Sequence, residues 1–155
     1  MIRGNHEDPD VNAIYGFRAE CVERLGENEG VKAWNIFNDV FKWLPLVATI
    51  DDKIFCVHGG VGRCYEDKIE TLINSLPRPL TRDQGGQIMT DLLWSDPTEN
   101  DSVLGIQQNK RGPGLVTFGP DIVKKFNELN NFQLVVRMEA VPIIVIFERE
   151  AEPSV

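Results

Sequence analysis

A pair of short β-rich runs constrains the fold of this chain more than any other feature. The runs lie in LVATIDDKIFCVHGG at residues 46–60, on either side of Asp51-Asp52-Lys53. β-Branched and aromatic residues favour extended backbone, and a short polar link between such runs is typical of a β-hairpin. The second run leads into His58 and a pair of glycines. The sequence therefore predicts His58 at the end of a buried strand, where α/β folds build sites and glycine lets backbone approach a ligand.

Helical periodicity precedes this hairpin. Asp8-Pro9 is typical of a helix cap followed by proline in the first turn, and apolar residues at helical spacing predict one helix over residues 10–26. A second apolar stripe predicts a helix over residues 31–44 that ends at Pro45.

Helices and strands also alternate in the second half of the chain. Apolar patterns predict helices at 66–76, 87–94 and 120–129, and strands at 115–119, 132–137 and 141–147. The segment 95–114 is polar and rich in turn formers, which predicts a functional or disordered loop. This alternation favours a layered, mixed α/β fold.

Composition excludes several classes of partner. At 155 residues the chain has room for one domain with a sizeable core. Its formal net charge of -8 argues against a nucleic acid partner, because binding a phosphate backbone needs a basic face. No stretch approaches the roughly 20 apolar residues of a membrane span, and no signal-peptide pattern is present. The 3 cysteines lack CxxC spacing and are typical of reduced thiols. Together with the lack of a membrane-spanning stretch, they lead us to expect a cytoplasmic or nuclear protein with no membrane partner.

The histidines are the residues best suited to chemistry. The chain has only 2 of them, and His6 follows Asn5 in IRGNHED at residues 2–8. Asn oxygen and His nitrogen can both bind a divalent metal, and an adjacent unligated imidazole suits proton transfer. Taken alone, a histidine after a strand is equally compatible with a structural role, and asparagine in a turn usually serves the backbone.

RGNHE at residues 3–7 followed by KIFCVHGG at residues 53–60 is a specific combination. Here the chain resembles the phosphoprotein phosphatase family of serine/threonine protein phosphatases, within the metallophosphoesterase superfamily. The similar stretches also include YGF, WLPL, DLLWSDP, an RG pair, TFG and VVR. WSDPTENDSV and RGPGLVTFGPD are most similar to the Kelch-repeat branch of plants and protists.

The resemblance implies a fold, a reaction and a set of residues. It implies part of a metallophosphoesterase β-sandwich flanked by helices, and hydrolysis of phosphoserine and phosphothreonine in phosphoprotein substrates, with regulatory protein subunits as further partners. Asn5 and His58 would bind one of two divalent ions (manganese, iron or zinc). His6 would protonate the leaving oxygen as general acid, and Arg111 would bind the phosphate.

The resemblance also implies an incomplete centre. The GDxHG and GDxxDRG motifs, which supply the other metal ligands in the family, do not occur in this sequence. VRMEA stands where relatives have VRAHE, so the ligand histidine has no counterpart and Glu139 is a conceivable substitute. We therefore expect residues 1–138 to form a partial catalytic domain, residues 139–155 to be a divergent tail, and activity to be impaired or absent.

Other interpretations stay open at this level. Arg111 could be a solvated loop charge, Asp96-Pro97 could only shape a turn, and Glu7 could cap the next helix instead of orienting a neighbour. The chain could be a non-catalytic remnant that binds regulatory partners or phosphoprotein. It could also belong to another metallophosphoesterase group that acts on small phosphoesters.

Overall fold

The structure is a computed structural model, and it describes residues 1–138. The predicted tail, with its apolar strand at 141–147, lies outside the described residues. The domain boundary at residue 138 therefore stays a prediction. In the part of the chain that the structure describes, no helix is both long and apolar enough to cross a membrane.

The helices largely follow the predicted periodicity. They are α1 (Pro9–Ile14), α2 (Phe17–Leu25), α3 (Glu27–Phe41), α4 (Ile69–Asn74), α5 (Arg82–Trp94) and α6 (Pro120–Asn130). The single helix predicted over 10–26 is wrong: Gly16 adopts φ 97, which ends α1 and starts α2. This left-handed backbone interrupts the helical hydrogen bonds although the apolar spacing continues.

Two other helices begin earlier than predicted. α3 starts at Glu27, before the apolar stripe, and gives way to a turn after Phe41. α5 starts at Arg82 because Thr81 and Gln84 form a reciprocal capping box, and it kinks at Gly86. Polar first turns of this kind carry no apolar stripe, so periodicity alone places a helix start too late.

Within residues 1–138, the strands form two 3-stranded sheets. They are β1 (Val47–Ile50), β2 (Ile54–Val57), β3 (Asp96–Pro97), β4 (Ile106–Gln108), β5 (Val116–Phe118) and β6 (Leu134–Arg137). The first sheet has the order β1-β2-β6: the predicted hairpin is confirmed, with Val47 opposite Val57, and β6 joins β2 in parallel, with Ile54 opposite Leu134.

The second sheet corrects the prediction for residues 95–114. That segment is not one loop, since it contains β3 and β4, which flank β5 in the order β3-β5-β4. β3 pairs with β5 in parallel and β4 pairs with it antiparallel. These short polar strands lack an apolar pattern, so they are strands only because they pair with the buried strand β5.

One apolar cluster joins both sheets to the helices. β2 contributes Phe55, β5 contributes Phe118 and α6 contributes Phe126, all essentially buried. The rings of Phe55 and Phe126 are 4.9 Å apart in an edge-to-face arrangement, a preferred aromatic geometry. Burying side chains of this size stabilises the fold by about 1.5–3 kcal/mol each. The core thereby fixes the end of β2, from which His58 extends.

Candidate metal and phosphate site

Asn5 and His58 meet at the end of β2. Nε2 of His58 donates a hydrogen bond to Oδ1 of Asn5 at 3.0 Å, although 53 positions separate them in the chain. Asn5 is only 5% exposed, so the surrounding protein restricts its side chain. The structure therefore brings together the two side chains predicted as metal ligands.

Arg3 holds the turn that presents Asn5. Its backbone N–H donates to the carbonyl of Pro45, and its guanidinium donates to the carbonyls of Glu7 and Leu80, at 2.7–2.9 Å. Arg3 is 1% exposed, so these bonds are shielded from water. Arg3 is therefore a structural anchor for the 2–8 segment. It stands in RGNHE, which carried the family resemblance, but no local pattern predicted that it would be buried.

The carboxylate of Glu7 also organises this turn. Its Oε2 accepts a hydrogen bond from the backbone N–H of Gly4 at 2.8 Å. The helix cap is Asp8, whose side chain accepts from the N–H groups of Asp10 and Val11. Of the two interpretations of Glu7, the structure therefore places it as a brace within the turn and leaves the cap to its neighbour.

Burial lowers the pKa of His58 below its usual range. The carboxylate of Glu7 acts in the opposite direction, and the charges of Arg137, His6 and Arg111 lower the pKa further. The imidazole is consequently neutral at neutral pH, which is the form that offers a lone pair to a metal ion. His6 and Arg111 are thus close enough to His58 for their charges to lower its pKa.

His6 occupies a different environment from His58. It is exposed, and its ring packs against Tyr15 with the centroids 4.9 Å apart. A small hollow of about 180 Å³ beside it is lined by Glu7, Asn12, Tyr15, Phe17 and Phe41. An imidazole held by an aromatic ring and open to solvent can exchange protons with a ligand or with water.

Arg111 lies in a cluster around Asp96. Nη1 of Arg111 donates to one carboxylate oxygen at 3.1 Å, and Nη2 of Arg137 donates to the other at 2.8 Å. Arg111 also lies over the indole ring of Trp94, 5.5 Å from its centroid. The guanidinium is therefore oriented by a carboxylate and an aromatic face, and it is more than a solvated loop charge.

Arg137 and Asp96 were not among the predicted site residues. Arg137 ends β6 and reaches the carbonyl of Gly59, next to His58, so it connects the cluster around Asp96 with the Asn5–His58 pair. A cleft of about 640 Å³ opens beside Asp96, Arg111 and Arg137. Both residues stand in stretches that carried the family resemblance, SDP and VVR, which was the available signal.

The Asn5–His58 pair fits one metal ion as part of a larger ligand set. Donor atoms 3.0 Å apart match neighbouring positions around an octahedral ion with bonds of about 2.1 Å. Amide oxygen with imidazole nitrogen suits manganese, iron or zinc. Within residues 1–138, however, no group of three or more His, Cys, Asp or Glu side chains is placed to hold a metal. Glu139 lies outside the described residues, so its substitution for the absent histidine stays a prediction.

Comparisons with known proteins agree with this geometry. The sequence model described as calcineurin-like phosphoesterase matches residues 1–137. Serine/threonine-protein phosphatase BSL2 of Arabidopsis thaliana is 55% identical over 137 residues, which make up 88% of this chain and 13% of the plant protein.

A solved structure of a serine/threonine phosphatase from Saccharomyces cerevisiae, described as similar to human phosphatase PP5, also matches. It has a TM-score of 0.73 and 29% identity, with 88% of this chain and 39% of the yeast chain covered. The chain thus spans well under half the length of both relatives. These matches confirm the predicted fold class and the resemblance to serine/threonine phosphatases of the Kelch-type branch.

Proposed function

This chain belongs to the calcineurin-like phosphoesterase family, and on that premise we propose that it contributes to the hydrolysis of phosphoserine and phosphothreonine in proteins. The contact between Asn5 and His58 carries the proposal, because it joins two metal-binding groups within electrostatic reach of an arginine cluster. Phosphoprotein substrates follow from the names of both relatives. Regulatory protein subunits are a further proposal from the resemblance alone.

Asn5 and His58 would hold one divalent ion in this reaction. The neutral imidazole carries one proton, so this proton would move from Nε2 to Nδ1 by exchange with water, and the lone pair on Nε2 would then be available to the ion in place of the hydrogen bond to Asn5. Two bound metals supply a hydroxide at neutral pH and stabilise charge on the phosphoryl group. Manganese, iron and zinc remain alternatives, because the donor pair suits each of them.

His6 and Arg111 would act on the substrate. The exposed imidazole of His6 would donate a proton to the departing serine or threonine oxygen, which leaves more easily when it is neutralised. The guanidinium of Arg111 would form parallel hydrogen bonds to phosphoryl oxygens, with Asp96 and Trp94 fixing its orientation.

A chimera tests these roles directly. Residues 1–137 of this chain would replace the matching 137 residues of the Arabidopsis phosphatase, which would keep the rest of its own chain. We expect manganese-dependent hydrolysis of a phosphothreonine peptide, and a loss of about 10²–10⁴-fold in kcat for the His6→Ala chimera.

Two results would contradict the proposal. A folded chimera without phosphopeptide hydrolysis would show that these residues do not support the reaction. Hydrolysis that is unchanged by His6→Ala would remove its role as general acid. A chimera that prefers nucleotides or small phosphoesters would favour the alternative metallophosphoesterase function.

The second candidate is a non-catalytic role for the 155-residue chain itself. It is favoured by the ligand count, since the described residues bring together Asn5 and His58 but no larger ligand group. With manganese, residues 1–155 should hydrolyse p-nitrophenyl phosphate no faster than the His6→Ala variant, because two metals need a shared ligand set. Turnover that depends on His6 would reject this candidate.

A further inference from the structure

Arg63 makes a bridge that the proposed mechanism has not used. It follows the glycines after His58, and its Nε and Nη2 donate to the two carboxylate oxygens of Asp91 at 2.9 and 2.6 Å. The same Nη2 donates to the carbonyl of Gly114 at 2.9 Å. One guanidinium therefore connects the segment after His58 and helix α5 with the loop that contains Arg111.

The carboxylate of Asp91 is a rigid base for this bridge. Its side chain is 1% exposed, whereas that of Arg63 is 37% exposed. The carboxylate also accepts hydrogen bonds from the backbone N–H of Arg63 and from Nε2 of Gln87, both at 2.9 Å. A buried carboxylate with four donors is held in one orientation, and it fixes the planar guanidinium in turn.

The backbone before Arg63 is shaped for this contact. Gly62 adopts φ 46, and a Cβ at that position would lie 2.5 Å from the Cβ of Asp91. Only glycine tolerates both the left-handed backbone and so close an approach. The segment after His58 can therefore lie directly against α5.

The tip of the loop around Arg111 gains from such outside support. The N–H of Asn109 donates to the carbonyl of Leu115 at 2.9 Å and closes the ends of the loop, but the N–H of Gly112 reaches Asn109 at 3.5 Å and the N–H of Leu115 reaches Gly112 at 3.4 Å. The two long bonds are weak, so they restrict the tip of the loop little. The shorter, charged contact from Arg63 to the carbonyl of Gly114 supplies a tether from outside the loop.

We propose that Arg63 is a positioning residue, which holds the loop at residues 109–115 so that Arg111 is presented to the phosphoryl group. This inference rests on the proposed role of Arg111. A lysine at position 63 would keep the positive charge beside Asp91, but a point charge cannot bind both carboxylate oxygens and the Gly114 carbonyl in a fixed fork. Substitution with lysine can therefore separate the positive charge of Arg63 from its fork of hydrogen bonds.

The test uses residues 1–155 with Arg63→Lys and a matched control, Gln87→Ala. The control also removes a hydrogen bond to Asp91, but it leaves the contact with Gly114 intact. We expect Arg63→Lys to accelerate amide hydrogen exchange at Arg111, Gly112 and Leu115 by roughly tenfold. Gln87→Ala should leave exchange at these amides within about twofold of wild type.

A second measurement links the loop to the phosphate. Inorganic phosphate is titrated against the backbone amide NMR signals of residues 109–115 in wild type, Arg63→Lys, Gln87→Ala and Arg111→Ala. We expect Arg63→Lys to weaken this binding by about tenfold, compared with about twofold for Gln87→Ala. A melting temperature unaffected by Arg63→Lys, together with weaker binding, would exclude a merely structural role.

The outcomes separate the two proposals. Unchanged exchange in the loop of Arg63→Lys would overturn the positioning role of Arg63, whatever Arg111 does. Accelerated exchange with phosphate binding that Arg111→Ala does not affect would keep Arg63 as the loop tether but reject Arg111 as the phosphate-binding residue. If Arg63→Lys did not fold, Arg63→Met with Asp91→Leu would undergo the same measurements, since it removes the bridge without a buried unpaired carboxylate.

Discussion

Two arginine–aspartate pairs hold the loop at residues 109–115, and they differ mainly in their carboxylates. The arginines are almost equally exposed, with 37% for Arg63 and 40% for Arg111. Asp91 is 1% exposed and bound by Arg63, whereas Asp96 is 19% exposed and shared by Arg111 and Arg137.

The exposure of the carboxylate therefore determines the role that its arginine can take. The buried carboxylate of Asp91 is expensive to leave unpaired, so Arg63 is committed to it. Asp96 is partly exposed to water, and its oxygens accept hydrogen bonds from several donors. Losing the contact with either arginine therefore costs less free energy. The first pair stabilises the fold, and the second presents guanidinium groups at the cleft.

Removing each carboxylate should produce the largest difference between the two pairs. Asp91→Ala should lower the free energy of unfolding by about 1–3 kcal/mol, because four partly buried hydrogen bonds to one buried carboxylate are lost. Asp96→Ala should lower it by only about 1 kcal/mol, because water replaces the carboxylate. Urea denaturation of both variants measures the difference, and equal losses would show that burial does not distinguish the pairs.

Arg111→Lys should reduce activity much more than stability. In the Arabidopsis chimera we expect kcat/KM for a phosphopeptide to fall by an amount equivalent to about 2.7–4 kcal/mol, as for the loss of one preorganised contact. The free energy of unfolding should change by less than about 1 kcal/mol. Parity with the parent chimera within about twofold in kcat/KM would end the claim that Arg111 binds phosphate.

Alanine at two left-handed glycines would test the backbone around the first pair. Gly62→Ala should cost about 2–4 kcal/mol, since it adds both backbone strain and a collision with Asp91. Gly114→Ala should cost about 1–2 kcal/mol, because nothing lies within 4 Å of the added Cβ and only φ 80 is strained. Thermal or urea unfolding measures both, and similar losses would mean that the close approach to Asp91 is unimportant.

Salt should produce the smallest effect. Raising sodium chloride from 0.1 to 1 M shortens the screening length from about 10 to 3 Å and weakens exposed pairs more than buried ones. The stability difference between wild type and Asp96→Ala should therefore shrink by a few tenths of a kcal/mol, while that for Asp91→Ala stays constant. If the stability difference for Asp91→Ala depended more strongly on salt than that for Asp96→Ala, Arg63 and Asp91 could not be the better shielded pair.

Local patterns predicted the parts of the fold that rest on neighbouring residues. The β1–β2 hairpin follows from two apolar runs around a polar turn, and α6 follows from Pro120 and its apolar stripe. The strands β3 and β4 escaped prediction because they are only 2 and 3 residues long and depend on pairing with β5. Propensity is weak at such lengths, and tertiary contacts decide.

The candidate site shows the same limit. Asn5 and His58 were placed together by the family resemblance, since no local pattern links residues 53 positions apart. Asp91 opens DLLWSDP, one of the similar stretches, but nothing in that stretch pointed to Arg63, 28 positions away. A buried ion pair is defined by the three-dimensional path of the chain, and single-sequence periodicity does not encode it.

The parallel pairing of β2 with β6 has a consequence for the order in which the molecule assembles. The β1–β2 hairpin closes a short loop and can form within microseconds, whereas Ile54 meets Leu134 only after most of the chain has been brought together. Arg137 stands at the end of that late strand and reaches the carbonyl of Gly59. During folding, the surroundings of His58 would thus be completed after the hairpin strand that leads to it.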